Sequence, residues 1–163
     1  PDTTMNEIAH ATVCFSRAWR EALYGVSAYW VLPDQVKKSA PSGEFLPKGS
    51  FTIEGQRNFI KSETLKLAVG IIQLEDNDHV LTCGPPEAIK KNSICYAIIE
   101  PNGLEMAECA KKIRLEFLKI FEDITRKINI DEFVRALPAG KSQIKEISLG
   151  DLEKENIIDN ELD

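Results

Sequence analysis

The sequence predicts an α+β fold, a mainly antiparallel sheet of short strands with a capped N-terminal helix and a second long helix packed on it. Two observations favour this class. Apolar residues recur at helical spacing near the N-terminus and again over 104–121. Between and around these segments lie short runs of β-branched and aromatic residues, bounded by Gly, Pro, Asn and Asp. Helices and short strands in this arrangement are expected to form two layers around one core.

The N-terminal helix is predicted over residues 5–24. Thr4 and Glu7 have the spacing of a capping box, and Gly25 is placed to end the helix. An apolar stripe at helical spacing is expected to face the core: Ile8, Ala11, Phe15, Ala18, Trp19 and Ala22.

Strands are expected at several places after this helix, because β-branched and aromatic residues cluster between turn formers. They lie at 26–32, 51–54, 58–60, 64–74, 79–84 and 93–101. The strands at 64–74 and 79–84 are predicted to form a hairpin, since Asp and Asn residues fill the turn between them. Further helical segments are predicted at 85–92, 104–121 and 130–137.

The chain is predicted to divide into three segments. Residues 1–83 form the core of the domain, and residues 84–145 form a helix-strand-helix extension. Residues 146–163 are acidic and poor in aromatic residues, so a disordered tail is expected there.

The charge distribution bears on which partners are expected. The formal net charge of −6 comes from 26 acidic and 20 basic residues. Residues 146–163 hold seven of those acids and one base, so residues 1–145 hold 19 of each and are formally neutral. A local basic cluster in that part of the chain can therefore still attract a polyanion.

Several classes of function are not expected. The four cysteines have no CxxC or CxxH spacing and only two histidines could join them, so no metal site and no cofactor are predicted. No apolar run is long enough to cross a membrane. The cysteine usage and the lack of a signal-peptide pattern favour a cytoplasmic location. Neither histidine has a catalytic partner at a recognisable spacing, so an enzyme is not expected.

One loop, Gln35–Phe59, combines groups that hold nucleic acid. Glycine and proline residues bend the backbone tightly, serine hydroxyls add hydrogen-bonding groups, and basic residues add positive charge. The aromatic rings of Tyr29 and Trp30 just before the loop, and of Phe45 and Phe59 within it, could stack on unpaired bases, although a tryptophan in a strand more often packs in a core. The predicted RNA-binding residues in this loop are Lys37, Lys38, Ser39, Lys48, Gly49, Ser50, Arg57 and Asn58.

The same loop resembles a known family. The stretch "SAYWVLPDQVKKSAPSGEFLPKGSFTIEGQRNF", Ser27–Phe59, is similar to the signature of the NFACT-R domain, the RNA-binding domain of the NFACT ribosome-associated quality-control factors. "CFSRAWREAL" and "FVRALPAGKSQI" also resemble family segments, the latter those of archaeal members. The resemblance covers about residues 5–145 and implies that the chain begins partway through the domain.

The resemblance implies a role at the ribosome. NFACT proteins bind the large ribosomal subunit that carries a stalled nascent chain and tRNA, so tRNA and large-subunit ribosomal RNA are the expected partners. The family also implies RNA contact around Lys38, Ser39, Gly49, Ser50 and Asn58. Glu54 and Gln56 stand where the family has Arg and Lys, which predicts weaker phosphate contact at those positions.

Other functions stay open at this stage. The loop could dock on another domain or on a ribosomal protein, and a small hydrolase would need a polar pocket at His10 or His79. A homodimer is possible through an exposed sheet edge, whereas DNA and membranes are not expected as partners.

Overall fold

The computed structural model describes residues 2–162, with a four-stranded antiparallel sheet at its centre. The strands are β5 (Leu67–Gln73), β6 (His79–Gly84), β7 (Ser93–Leu104) and β8 (Ser142–Leu149), in the order β6-β5-β7-β8. All residues of β5 from Leu67 to Ile71 are buried, because one face of the strand packs Val69 and Ile71 in the main core and the other packs Ala68 against Ile89. This continuous burial replaces the partly polar face that the alternation in 64–74 predicts.

The helices bury the apolar side chains of the sheet. Their bounds are α1 (Asp2–Cys14), α2 (Arg17–Glu21), α3 (Pro86–Asn92), α4 (Met106–Ile120), α5 (Glu122–Arg126), α6 (Ile130–Ala136) and α7 (Asp151–Leu162). Trp19, Phe117 and Phe133 are the largest fully buried side chains, each worth about 1.5–3 kcal/mol on burial. Successive residues of a strand point to opposite faces of the sheet. On the face opposite the main core, Ala68 and Tyr96 form a smaller cluster with Ile89 of α3.

Residues 27–61 are called the arm below, and the other residues that the structure describes are called the body. The arm packs on the main core through Ala28. It contains β1 (Ser27–Trp30), β2 (Val36–Lys37), β3 (Thr52–Ile53) and β4 (Asn58–Lys61). β1 pairs with β4 and β2 with β3, both antiparallel. Where the arm leaves the body, the Ser62 N–H donates to the Val26 carbonyl at 2.9 Å. The arm is therefore closed at its base.

Much of the predicted α+β fold is confirmed. The structure contains strands within each predicted strand segment, the hairpin of β5 and β6, and the long helix α4. Within residues 2–162, no helix is both long and apolar enough to cross a membrane.

The prediction of one helix over 5–24 is wrong, because Ser16 divides it. The Ser16 Oγ accepts the Ala18 N–H at 3.1 Å and donates to the Val13 carbonyl at 2.6 Å, so it ends α1 and caps α2. α1 already begins at Asp2, so Thr4 lies inside the helix and is not its cap. The buried face also differs from the predicted stripe, since Ile8 and Phe15 are 57% and 50% exposed whereas Ala9, Val13 and Cys14 are buried.

The prediction of a disordered tail over 146–163 is also wrong for the residues described. Residues 146–149 belong to β8, and α7 follows it. Ile147 and Leu152 pack on the main core, and the Gly150 N–H donates to the Ile94 carbonyl at 2.8 Å. Acidic composition therefore does not prevent order here, because a few apolar residues hold the segment against β7. The predicted domain boundary at 83/84 falls at the end of β6, inside the sheet, and remains a prediction.

Candidate nucleic-acid interface

Gln35 connects the two sides of the arm. Its Oε1 accepts the Leu32 N–H at 2.8 Å, and its Nε2 donates to the carbonyls of Glu54 and Gln56 at 2.8 and 2.9 Å. The Glu54 N–H donates back to the Gln35 carbonyl at 2.9 Å. Between these carbonyls, Gly55 has φ +79°, and a Cβ there would lie 3.1 Å from the Gln35 Nε2. The side chain of Gln35 thus positions the residues on either side of the arm.

Two similar turns shape the loop between β2 and β3. In Pro41–Glu44 and in Pro47–Ser50, the N–H of the fourth residue donates to the carbonyl of the first at 3.0 Å. The third residue of each turn is a glycine, Gly43 or Gly49, with φ +86°. Residues with a Cβ rarely adopt this φ, which explains the glycines. The second turn places Lys48, Gly49 and Ser50 on the surface, where all are exposed.

The second turn forms one side of a shallow groove that brings together four of the eight predicted RNA-binding residues. The groove has a volume of about 370 Å³ and is lined by Lys38, Leu46, Pro47, Lys48, Gly49, Ser50 and Phe51. Among residues 2–162, neither Lys38 nor Lys48 forms an ion pair. Two unpaired ammonium groups beside a hydroxyl and exposed backbone make a site suited to phosphate oxygens. We call this the lysine groove.

Arg57 lies on a different surface of the arm, beside two aromatic rings. Its guanidinium carbon is 5.3 Å from the centroid of the Tyr29 ring, a cation–π distance. Tyr29 is opposite Phe59 in the register of β1 and β4, and their ring centroids are 5.5 Å apart. Arg57 does not line the lysine groove, so the structure divides the predicted RNA-binding residues between two surfaces.

The remaining predicted residues differ in exposure. Ser39 is exposed and follows Lys38 in sequence. Lys37 is half-buried in β2, opposite Thr52. Asn58 is also half-buried, and its Nδ2 donates to the Trp30 carbonyl at 3.4 Å across the β1–β4 pair. Asn58 therefore has a structural partner within the arm. Gln35 is not among the predicted RNA-binding residues, and its only signal in the sequence is its place in the stretch that resembles the family signature.

His10 serves to hold α1 against the segment that follows the arm. Its Nδ1 is 2.7 Å from the Ser62 Oγ, and its Nε2 is 2.7 Å from the Lys66 carbonyl oxygen. Both ring nitrogens are therefore engaged in contacts with residues of the fold. His10 lines a groove of about 630 Å³, and His79 lines another of about 280 Å³.

The cysteines are unsuited to act as nucleophiles. Burial raises the pKa of Cys14 and Cys109 from 9.0 to about 11, and that of Cys83 and Cys95 to about 12. A thiol with so high a pKa contains very little thiolate near neutral pH. Among residues 2–162, no three His, Cys, Asp or Glu side chains are grouped so that they could hold a metal ion.

Comparison with known proteins relates the arm to an RNA-binding family. Residues 1–55 match the family described as the NFACT protein RNA binding domain. This match includes α1, α2, β1, β2, the lysine groove and β3.

Relatives in archaea and animals cover more of the chain. The Archaeal Rqc2 homolog aRqcH of Methanocaldococcus jannaschii is 34% identical over 143 residues, which are 88% of this chain and 20% of that protein. The ribosome quality control complex subunit NEMF homolog of Drosophila melanogaster is 33% identical over 133 residues, 81% of this chain and 12% of that protein. Human ribosome quality control complex subunit NEMF is 39% identical over 72 residues, 44% of this chain and 7% of that protein. No solved structure matches the chain.

The fold, the arm and these similarities place the chain in a class of proteins: it is similar to a family described as an RNA binding domain and to proteins named for ribosome quality control. The chain belongs to the NFACT family, and its similarity to the Methanocaldococcus protein fits the archaeal type. The chain spans a fifth or less of the length of the relatives quoted above.

Proposed function

We propose that this chain is a non-enzymatic module that binds tRNA or large-subunit ribosomal RNA for a quality-control protein acting on stalled nascent chains at the large ribosomal subunit. The lysine groove is the single observation that carries the proposal most directly. It contains two exposed lysines without ion-pair partners among residues 2–162, held by a loop within the segment that matches the NFACT RNA-binding family. In this proposal the groove contacts the RNA backbone and does not read its sequence.

Physical chemistry explains how the groove would hold RNA. An ammonium group near a phosphate releases a counterion, so each such contact weakens as salt rises. Lys38 and Lys48 supply the charge, while Ser50 and the backbone at Gly49 supply hydrogen-bonding groups. The loop that carries them is bent by its own turn, so it loses little conformational entropy when RNA binds.

The proposal predicts that the double variant Lys38→Ala, Lys48→Ala binds tRNA more weakly and with a smaller salt dependence. For two lost phosphate contacts, the slope of log K against log salt should shrink by about two units. Fluorescence anisotropy across a salt series measures both affinity and slope.

The matched control is the double variant Lys91→Ala, Lys111→Ala, which removes the same charge from exposed lysines of α3 and α4. Equal weakening in both double variants would mean that general charge, and not the lysine groove, drives binding. Absence of tRNA and ribosomal RNA binding in the unaltered chain would refute the proposed function itself.

A second function, docking on another protein, is favoured by the apolar residues of the same loop. Phe45 is 88% exposed and Phe51 is 54% exposed, and Leu46 and Phe51 also line the groove. A partner held through these side chains would be another domain of the parent protein or a ribosomal protein. Binding of that kind changes little with salt, so the salt series that tests RNA binding also separates the two functions.

Self-association through a sheet edge is a separate proposal about partners. The central sheet ends at β6 on one side and at β8 on the other. An edge strand has unpaired backbone groups that can pair with a second copy. Sedimentation velocity of the chain over a concentration series measures its oligomeric state, and a monomer throughout would refute this dimer.

A further inference from the structure

An aromatic pair lies on the face of the β1–β4 ladder opposite α1. Side chains alternate along a strand, so the paired residues Ala28 and Ile60 share the face towards α1, and Ala28 packs on the main core. By the same alternation Tyr29 and Phe59 share the opposite face, although Tyr29 also borders the small cavity between the ladder and α1. They are 46% and 65% exposed, and their planes meet at 61°. Two rings left this open on a paired, hydrogen-bonded ladder offer a rigid apolar surface to a ligand.

Cations lie at both ends of this aromatic pair. The Arg57 guanidinium is 5.3 Å from the centroid of the Tyr29 ring. Lys61 is two residues beyond Phe59 in β4, so alternation places it on the same face, where it forms an exposed ion pair with Glu63 at 3.0 Å. We call Tyr29, Arg57, Phe59 and Lys61 the stacking face.

The combination of flat rings and flanking cations selects one kind of ligand. An apolar protein segment would cover the rings but would also have to remove water from the Arg57 guanidinium, and from the exposed Lys61–Glu63 pair, without replacing it. A nucleotide has a flat base for the rings and negatively charged phosphates for the cations. Charge and shape complementarity therefore favour RNA over an apolar protein partner on this face.

We propose that the stacking face binds an unpaired base of the RNA, with the base against Phe59 and the neighbouring phosphates near Arg57 and Lys61. This inference rests on the proposed function and narrows its ligand to RNA with a single-stranded segment. In a duplex each base is already stacked between its neighbours, so its flat face is not available to Phe59. The lysine groove, in contrast, contacts the backbone and accepts either form.

The two surfaces have different tasks under this proposal. The lysine groove supplies affinity that depends on salt and not on strandedness. The stacking face supplies a preference for unpaired RNA that depends on an aromatic ring and less on salt. Variants of the two surfaces should therefore change different properties of binding.

The test is fluorescence anisotropy of the full chain with two labelled RNAs, an oligouridine and a duplex, each about 12 nucleotides long. Phe59→Ala and Phe59→Leu should each weaken binding of the oligouridine about tenfold, because both remove the ring. Phe59→Tyr keeps a ring and should stay within about twofold of the unaltered chain. Phe15→Ala, a control at a 50% exposed ring outside the arm, should also stay within that range. Duplex binding should be the same for all four variants.

The variants also separate the ways in which the proposal could fail. If Phe59→Leu binds oligouridine as well as the unaltered chain does, apolar area suffices and the stacking proposal is wrong. The stacking proposal is equally wrong if oligouridine and duplex binding fall by the same factor in Phe59→Ala. In either case, salt-sensitive RNA binding by the unaltered chain would still support the proposed function. If the unaltered chain binds no RNA, the proposed function and the stacking proposal are both wrong. If Phe59→Ala instead dissociates a dimer in sedimentation velocity, the face binds a second copy and the proposal fails.

Discussion

A single amide side chain, that of Gln35, joins the separate strands of the arm into one unit. It accepts one backbone N–H and donates to two carbonyls, and those partners are 3, 19 and 21 residues away in sequence. A lysine or glutamate could not make this set of contacts, because an amide both donates and accepts. The position of Arg57 depends indirectly on this side chain, since Gln56 precedes it.

Gln35→Ala should therefore loosen the arm and leave the body intact. Loss of three hydrogen bonds at a half-buried position should lower the opening free energy of the arm by roughly 1–2 kcal/mol, so amide exchange at Glu54 should become about 5- to 30-fold faster. Hydrogen exchange measured by mass spectrometry tests this, with β5 amides as an internal reference.

The control for this prediction is Gln56→Ala. The backbone carbonyl of Gln56 accepts the bond from Gln35, and its side chain makes no hydrogen bond among residues 2–162. If Gln56→Ala speeds exchange as much as Gln35→Ala does, the bridging role of Gln35 is refuted.

The sequence predicts which residue types serve the candidate site but not how the fold groups these residues on the surface. Lys38, Lys48, Gly49 and Ser50 do line one groove, as their shared loop suggested. Arg57 lies on another surface because the register of β1 with β4 places it against Tyr29, and register depends on contacts between residues far apart in the chain. Asn58 and Gln35 hold backbone groups of the arm, which residue type alone does not reveal.

The two turns of the arm are separate elements, and each needs a residue with positive φ at its third position. Gly43 and Gly49 have equal φ values, and a Cβ at either would meet no atom within 4 Å. Substitution by alanine therefore costs only the strain of a positive φ, about 1 kcal/mol at each position. The difference between them is location, since Gly49 lines the lysine groove and Gly43 does not.

Gly49→Ala should lower RNA affinity about threefold to fivefold, because it distorts the turn that places Lys48 and Ser50. Gly43→Ala should introduce the same strain with an effect on affinity of less than about twofold. Anisotropy with tRNA at one fixed salt concentration measures this difference. Similar losses in the two variants would show that the loop acts as a whole and that the second turn has no special role.

Helices and strands could be predicted where neighbouring residues determine them, but not where they depend on contacts with residues far away in the sequence. The hairpin of β5 and β6 and the helix α4 follow from turn residues and apolar spacing. β8 was missed because "SQIKEISL" contains few apolar residues, and it becomes a strand by pairing with β7, which lies about 40 residues earlier. The break at Ser16 was missed because serine is tolerated inside a helix, and its role as a cap depends on its rotamer.

Charge is distributed unevenly over the whole molecule. The arm holds five basic and three acidic residues, whereas α7 holds five acidic residues and one basic residue. The end of α7 is exposed, and its acids face water. An approaching polyanion is therefore attracted by the arm and repelled by α7, and both effects weaken as salt shortens the screening length.

Neutralising the exposed acids of α7 should strengthen RNA binding at low salt. The triple variant Glu155→Gln, Asp159→Asn, Glu161→Gln changes the formal net charge from −6 to −3. We expect a gain of about twofold to fivefold in tRNA affinity at roughly 0.05 M salt, which disappears near 0.5 M as screening removes the repulsion. Anisotropy at both salt concentrations measures the gain. An affinity gain that persists at high salt would contradict long-range repulsion and would indicate a direct contact of α7 with the arm.

The hydrogen bond between Ser62 and Val26 has a consequence for how this protein can vary. This hydrogen bond holds the two ends of the 35-residue arm next to each other. The body is therefore constrained by the arm in much the same way as by a tight turn between the same two residues. Insertions, deletions or exchanges in the loop between β2 and β3 can then accumulate without disturbing the main core, on which the arm packs through Ala28. Relatives could therefore lengthen or replace this loop. An engineer could likewise transfer the arm to another protein between two adjacent strands.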